Sequence, residues 1–208
     1  MKRIYGELKM NWMTILLFAV ITGVYTGLIM LVPALENTSF QDIGIAYEWW
    51  EIFAVIIVVN CRKNWEAALK CFVFFLISQP LIYGVEVVVG SLPISQALYY
   101  FRLWLPMMLL TLPGGFLAFY CKKQSLFGSV ILGIGNMIQA VMGISYLASA
   151  LRSFPHHLLS AVVSFGSIFW MSFCIQKKAK CRAAAIVTPV VLTVGILIWA
   201  KMTGRGFW

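Results

Sequence analysis

The sequence predicts an all-α, polytopic integral membrane protein with seven transmembrane helices. Three observations lead there. Of the 208 residues, 62% are hydrophobic and 11% charged, with a mean hydropathy of +0.90. An ordinary soluble domain is about 45–50% apolar and about 25% charged. Too few polar side chains remain to cover a soluble fold, which excludes a water-soluble domain, a disordered chain and a nucleic-acid-binding module. The apolar residues also fall into seven stretches, each close to the length of about 20 residues that a helix needs to cross a hydrocarbon core of roughly 30 Å. Finally, the basic residues alternate from one loop to the next.

The spans lie at about 12–33, 43–61, 71–90, 102–121, 126–149, 156–176 and 183–200. The first is longer than the about 7–15 apolar residues of a signal-peptide core and lacks a small-x-small cleavage site, so a retained span is expected. Its Gly23-Val24-Tyr25-Thr26-Gly27 run is a GxxxG face, which lets two helix backbones approach closely. Ser78-Gln79-Pro80 should kink the third span and Thr188-Pro189 the seventh. Leu112-Pro113-Gly114-Gly115 in the fourth span predicts a local break, since it joins a missing N–H donor to two flexible residues. Ser129/Gly133 and Ser145/Ser149 in the fifth span, and Ser160/Ser164 in the sixth, repeat the small-residue spacing of helix contacts.

The formal charge of +9 comes from 16 Lys and Arg against 7 Asp and Glu. Lys2, Arg3 and Lys9 precede the first span, and Arg62, Lys63 and Lys70 join the second to the third. Lys122 and Lys123 follow the fourth span; Lys177, Lys178, Lys180 and Arg182 follow the sixth. Only Arg102, Arg152, Lys201 and Arg205 fall on the other side, with Glu36 and Asp42. The positive-inside rule then places the N-terminus in the cytoplasm and the C-terminus outside, in the plasma (inner) membrane. Residues 1–208 read as one transmembrane domain, divisible into three spans, a linker span and three more. That arrangement resembles the small sugar uniporters in topology alone, and parallel repeats of this kind set a substrate site at their interface.

The chemistry resides in polar groups within spans. Glu51 precedes Arg62 by 11 residues, which at about 1.5 Å per residue is roughly 16 Å and reaches the midplane. Glu48 lies one turn away on nearly the same face, with Tyr47, Trp49 and Trp50 beside it. Two carboxylates so close suit a proton relay or a cation site. The alternative is a later start to the span, leaving both at the outer interface beside an aromatic belt. Glu86 and Arg102 flank an external loop and predict an ion pair across its mouth, with a substrate-facing gate as the other reading. Asn136 and Gln139 share a face of the fifth span; with Gln79 and Asn60 they predict either interhelical hydrogen bonds or an enclosed polar cavity.

His156 and His157 point about 100° apart on a helix and chelate one metal poorly. The five cysteines, Cys61, Cys71, Cys121, Cys174 and Cys181, form no CxxC pair. No HExxH, GxSxG or Walker loop occurs, and Asp42 is the sole aspartate. No metal, cofactor or catalytic residue is therefore expected. The pattern points to a small secondary transporter or channel moving a small solute or cation, with Glu51 as the binding carboxylate, Glu48 its partner, and Asn136, Gln139 and Gln79 the lining. The competing reading is a non-catalytic membrane subunit or substrate-binding component of a larger complex. An intramembrane lipid-modifying enzyme is least favoured. The expected partners are the lipid bilayer, the solute, and either further copies of the chain or a partner membrane subunit.

Overall fold

The computed structural model describes residues 8–45 and 47–203. Lys2, Arg3 and Arg205, which entered the charge alternation, lie outside them. All regular structure among the described residues is helical: α1 (Trp12–Met30), α2 (Ser39–Ile45), α3 (Tyr47–Asn60), α4 (Asn64–Val89), α5 (Ile94–Ala118), α6 (Leu126–Arg152), α7 (Leu158–Ile175) and α8 (Ala179–Met202). Six of these, α1 and α4 to α8, are long and apolar enough to cross a membrane. The expected second span does not reach that length as one helix. α3 has 14 residues, about 21 Å at 1.5 Å per residue, against a core of roughly 30 Å.

Local chemistry sets the helix ends. The Asn11 side chain accepts from Thr14 N at 2.8 Å to open α1, and Ser125 accepts from Gly128 N at 3.2 Å to open α6. α4 begins at Asn64 rather than at 71 because its charged first turn is satisfied internally. The Glu66 carboxylate accepts from Arg62 N at 2.8 Å and Lys63 N at 3.3 Å, and it pairs with Lys70 one turn on. Gly90, at φ 82°, closes α4 in the left-handed conformation that glycine adopts without strain.

The chain forms two compact units, Met1–Phe119 and Tyr120–Trp208. In the first, α4 is the hub, packing on α1, α5 and α3. The GxxxG face of α1 makes this approach possible. A Cβ on Gly23 would stand 2.7 Å from the Ser78 carbonyl oxygen, and one on Gly27 would stand 2.8 Å from Val85 Cβ. The core between α1, α3 and α4 is aromatic, with Trp50 against Phe53, Phe74 and Phe75, and Phe18 against Phe53 and Phe74.

The expected break at Leu112–Gly115 is absent, since α5 stays helical through Pro113. Gly115 serves packing instead. Its missing side chain lets α5 settle on α4, where a Cβ would meet Ala68 Cα at 3.1 Å and the Ala67 carbonyl at 3.3 Å.

In the second unit α6 is the hub, against α8 and α7. Gly133 sits against Thr188 so closely that a Cβ would stand 2.5 Å from the threonine Cβ; at Gly143 the neighbour is the Phe165 ring at 3.0 Å. Two loops are tied together at one end. Gln124 Nε2 donates to the Ile175 carbonyl at 2.8 Å, Lys177 N donates to Gln124 Oε1 at 2.6 Å, and Gln176 Nε2 donates to the Cys121 carbonyl.

Candidate functional site

The carboxylates of α3 differ in environment. Glu48 has no exposed surface, and Glu51 is half-buried. Glu48 falls in the first turn of α3 and Glu51 one turn further on. Tyr47 lies one turn above Glu51 on the same side of α3, because residues four apart superpose on a helix. Its ring meets Trp104 of α5, with centroids 5.8 Å apart. Trp49 leaves its indole N–H buried without an acceptor.

α4 contributes a matching stripe. Phe75, Gln79, Tyr83 and Glu86 recur at helical spacing, and Trp50 of α3 packs on the Phe75 end of it. Gln79 is buried and Glu86 half-buried. Tyr83 stacks on Tyr100 of α5 with centroids 5.6 Å apart, and it also stands within electrostatic reach of Trp104, Glu86 and Tyr47. Tyr100 and Trp104 are themselves one turn apart on one face of α5. Tyr47, Tyr83, Tyr100 and Trp104 thus form one aromatic cluster drawn from three helices. Because α3 runs toward the shared turn at 60–64 and α4 runs away from it, Glu51 lies one turn from the cluster on the side nearer that turn and Glu86 one turn on the far side.

The expected Glu86–Arg102 ion pair does not form among the described residues. α5 begins at Ile94, so Arg102 lies two turns inside the helix while Glu86 is one turn from the end of α4. Arg102 is exposed on the side of α5 away from Trp104. The loop that they were to flank is Gly90–Pro93, well beyond both.

Asn136 and Gln139 are fully buried in the second unit. Pro189 has no N–H, so the Ala185 carbonyl one turn earlier in α8 lacks its helical donor. Asn136 Nδ2 reaches that carbonyl at 3.4 Å and Ser172 Oγ of α7 at 3.3 Å. Gln139 Oε1 accepts from Ser167 Oγ at 2.8 Å. Both amides therefore join α6 to its neighbours. Asn136 Oδ1, Ser164 Oγ and Thr193 Oγ1 remain buried without hydrogen-bond partners. Asn60 works similarly in the first unit, accepting from Leu8 N at 2.8 Å.

His157 occupies the N-cap position of α7 without a side-chain capping bond and stacks on Tyr146 at 5.6 Å, and no cluster of three metal-ligating side chains occurs among the described residues. Compared with protein-family models, curated proteins and solved structures, the chain has no match in any of the three. Its function must be read from the geometry. Tyr100 and Trp104 are the members of the cluster that spacing along single spans does not reveal, whereas Tyr83 falls in register with Gln79 and Glu86. The signal available in the sequence was the 79–83–86 periodicity.

Proposed function

We propose that the chain is a small secondary transporter or channel that carries a small solute or cation past the carboxylates of α3. The supporting observation is Glu48, a carboxylate with no exposed surface in a chain built of apolar helices, followed one turn later by Glu51. With α2 and α3 read in series Glu48 falls near mid-span, where an acidic residue costs about 2.5–3.5 kcal/mol on the insertion scale. That penalty is offset where the group holds a cation or exchanges a proton. Glu51 would bind and Glu48 support it, with Gln79 at the same side of the aromatic cluster.

This reading adopts seven spans, with α2 and α3 in series as the second. The basic loops then face the cytoplasm together with the N-terminus, and the C-terminus lies outside, in the plasma (inner) membrane. Flux of protons, sodium and alkylammonium ions into vesicles holding the purified chain provides the test. Glu51→Gln should lower flux at least tenfold, on the order of the loss of one desolvated charge interaction, with an unchanged melting temperature. Wild-type flux in both Glu51→Gln and Glu48→Gln would overturn the proposal.

A second reading, a subunit of a larger membrane complex, is favoured by α5. It buries only Met108 and Gly115 and leaves Leu98, Leu103, Leu109, Leu110 and Leu117 exposed beside Arg102. A stoichiometric partner retained from native membranes would support it. An active chain purified without one would defeat it.

A further inference from the structure

The aromatic cluster of the first unit has a chemistry of its own. We propose that Tyr47, Tyr83, Tyr100 and Trp104, with Glu51 and Glu86 on either side, form a binding site for organic cations: hydrophobic quaternary ammonium, phosphonium or protonated amine groups. The proposal rests on the transporter reading for its route through the membrane and names the class of solute.

Aromatic side chains at a membrane boundary ordinarily form a belt, ring facing lipid and polar tip facing water. These four meet one another instead, although Tyr47 is itself exposed. Their rings meet across helices, Tyr47 on Trp104 at 5.8 Å between α3 and α5, and Tyr83 on Tyr100 at 5.6 Å between α4 and α5. Tyr83, Tyr100 and Trp104 are half-buried within the unit. Ring faces carry negative electrostatic potential, and a cation centred over them is attracted without the tight dehydrated coordination that sodium or a divalent ion demands. Phenolic and indole rings add apolar area that a small inorganic ion cannot use but an alkyl or aryl cation can.

The charges have the required sign. Glu51 and Glu86 are the acidic side chains one turn to each side of the rings. Arg102, the cation of α5, lies exposed on the opposite side of its helix. A cation moving along the cluster meets a carboxylate, then ring faces, then a second carboxylate. Gln79, one turn from Tyr83, supplies a neutral polar group at the end nearer the turn at 60–64.

The experiment is a melting and titration series on the purified full chain, with tetraphenylphosphonium as probe. Triphenylphosphine oxide serves as the uncharged control. Tetraphenylphosphonium should raise the melting temperature saturably and the control should not. Trp104→Ala and Tyr47→Ala should each weaken binding by about tenfold, as expected for loss of a desolvated cation–π contact. Trp104→Phe, which keeps a ring, should retain most of the affinity, and Trp170→Ala on α7 should match wild type. No response from the wild-type chain, or equal affinity in Trp104→Ala, would overturn the site. The two proposals separate cleanly. Glu51-dependent proton or sodium flux without tetraphenylphosphonium binding removes the cation site and keeps the transporter. Trp104-dependent binding without any flux keeps the site and removes the transporter.

Discussion

The two units handle polarity in opposite ways. All 7 carboxylates of the chain belong to residues 1–119, where an equal number of basic residues accompanies them; residues 120–208 hold no acid, so the whole formal charge of +9 rests on the second unit. Inside the first unit the buried polar groups include the ionisable Asp42, Glu48 and Lys70 beside the neutral Thr22, Thr26, Ser78 and Gln79, with Glu48 fully enclosed and Glu51 half-enclosed. Inside the second they are neutral amides and hydroxyls, several bonded across helices, as in Asn136 with Ser172 and the Ala185 carbonyl, or Gln139 with Ser167. Neutral groups satisfy one another at small net energy, typically about 0.6 kcal/mol per pair in membrane helices. Buried carboxylates are far more expensive to keep. The difference lies in charge: the first unit buries ionisable side chains, and the second joins its helices through neutral ones.

The comparison can be broken most forcefully through close packing. Gly133→Leu should remove folded protein from detergent extracts, since the new side chain begins 2.5 Å from Thr188 Cβ; overpacking of this kind costs about 1–3 kcal/mol or more. A normal yield and melting temperature would show that α6 and α8 are not held as described. Gly23→Leu tests the α1–α4 contact of the first unit in the same way.

A double-mutant cycle sharpens the account of the second unit. Asn136→Ala strips a donor from the Ala185 carbonyl and should destabilise by about 1–2 kcal/mol. Pro189→Ala restores the helical N–H to that carbonyl. Added to Asn136→Ala, it should recover about half of the loss, with a coupling near 0.5–1 kcal/mol. Strict additivity would mean that Asn136 does not serve the proline gap.

Smaller still is Gln124→Ala, which frees the Ile175 carbonyl and Lys177 N–H and should lower stability by about 1 kcal/mol. Gly195→Ala has the opposite sign. Nothing lies within 4 Å of a Cβ there, so relief of the glycine penalty should stabilise α8 by about 0.5–1 kcal/mol. Thermal melts of the purified variants measure both.

The helical class and most spans were legible because hydropathy over about 20 residues is a strong signal. Starts with polar first turns were not. Ser95 and Gln96 hid the opening of α5, and Glu66 and Lys70 hid that of α4, because their charges are paired along the helix rather than hydrated in a loop. Moving the start of α5 from 102 to Ile94 is what parted Arg102 from Glu86. The site was half legible. Glu48, Glu51, Gln79 and Glu86 stand out singly as polar residues in apolar surroundings, whereas Tyr100 and Trp104 acquire meaning only once three helices are assembled. The proline and glycine run at 112–115 was misleading, because neighbour packing on α4 outweighs local backbone freedom.

The segment before α1 is fastened where α3 gives way to α4. Leu8 N donates to Asn60 Oδ1, and the buried Lys70 ammonium donates to the Met10 carbonyl while pairing with Glu66. Gly115 seats α5 against Ala67 and Ala68 at the same level. Toward the other end, α3, α4 and α5 meet through ring contacts between Tyr47, Tyr83, Tyr100 and Trp104. The two ends of this bundle are thus held by different forces, hydrogen bonds and an ion pair at residues 60–70 and aromatic ring contacts at the other.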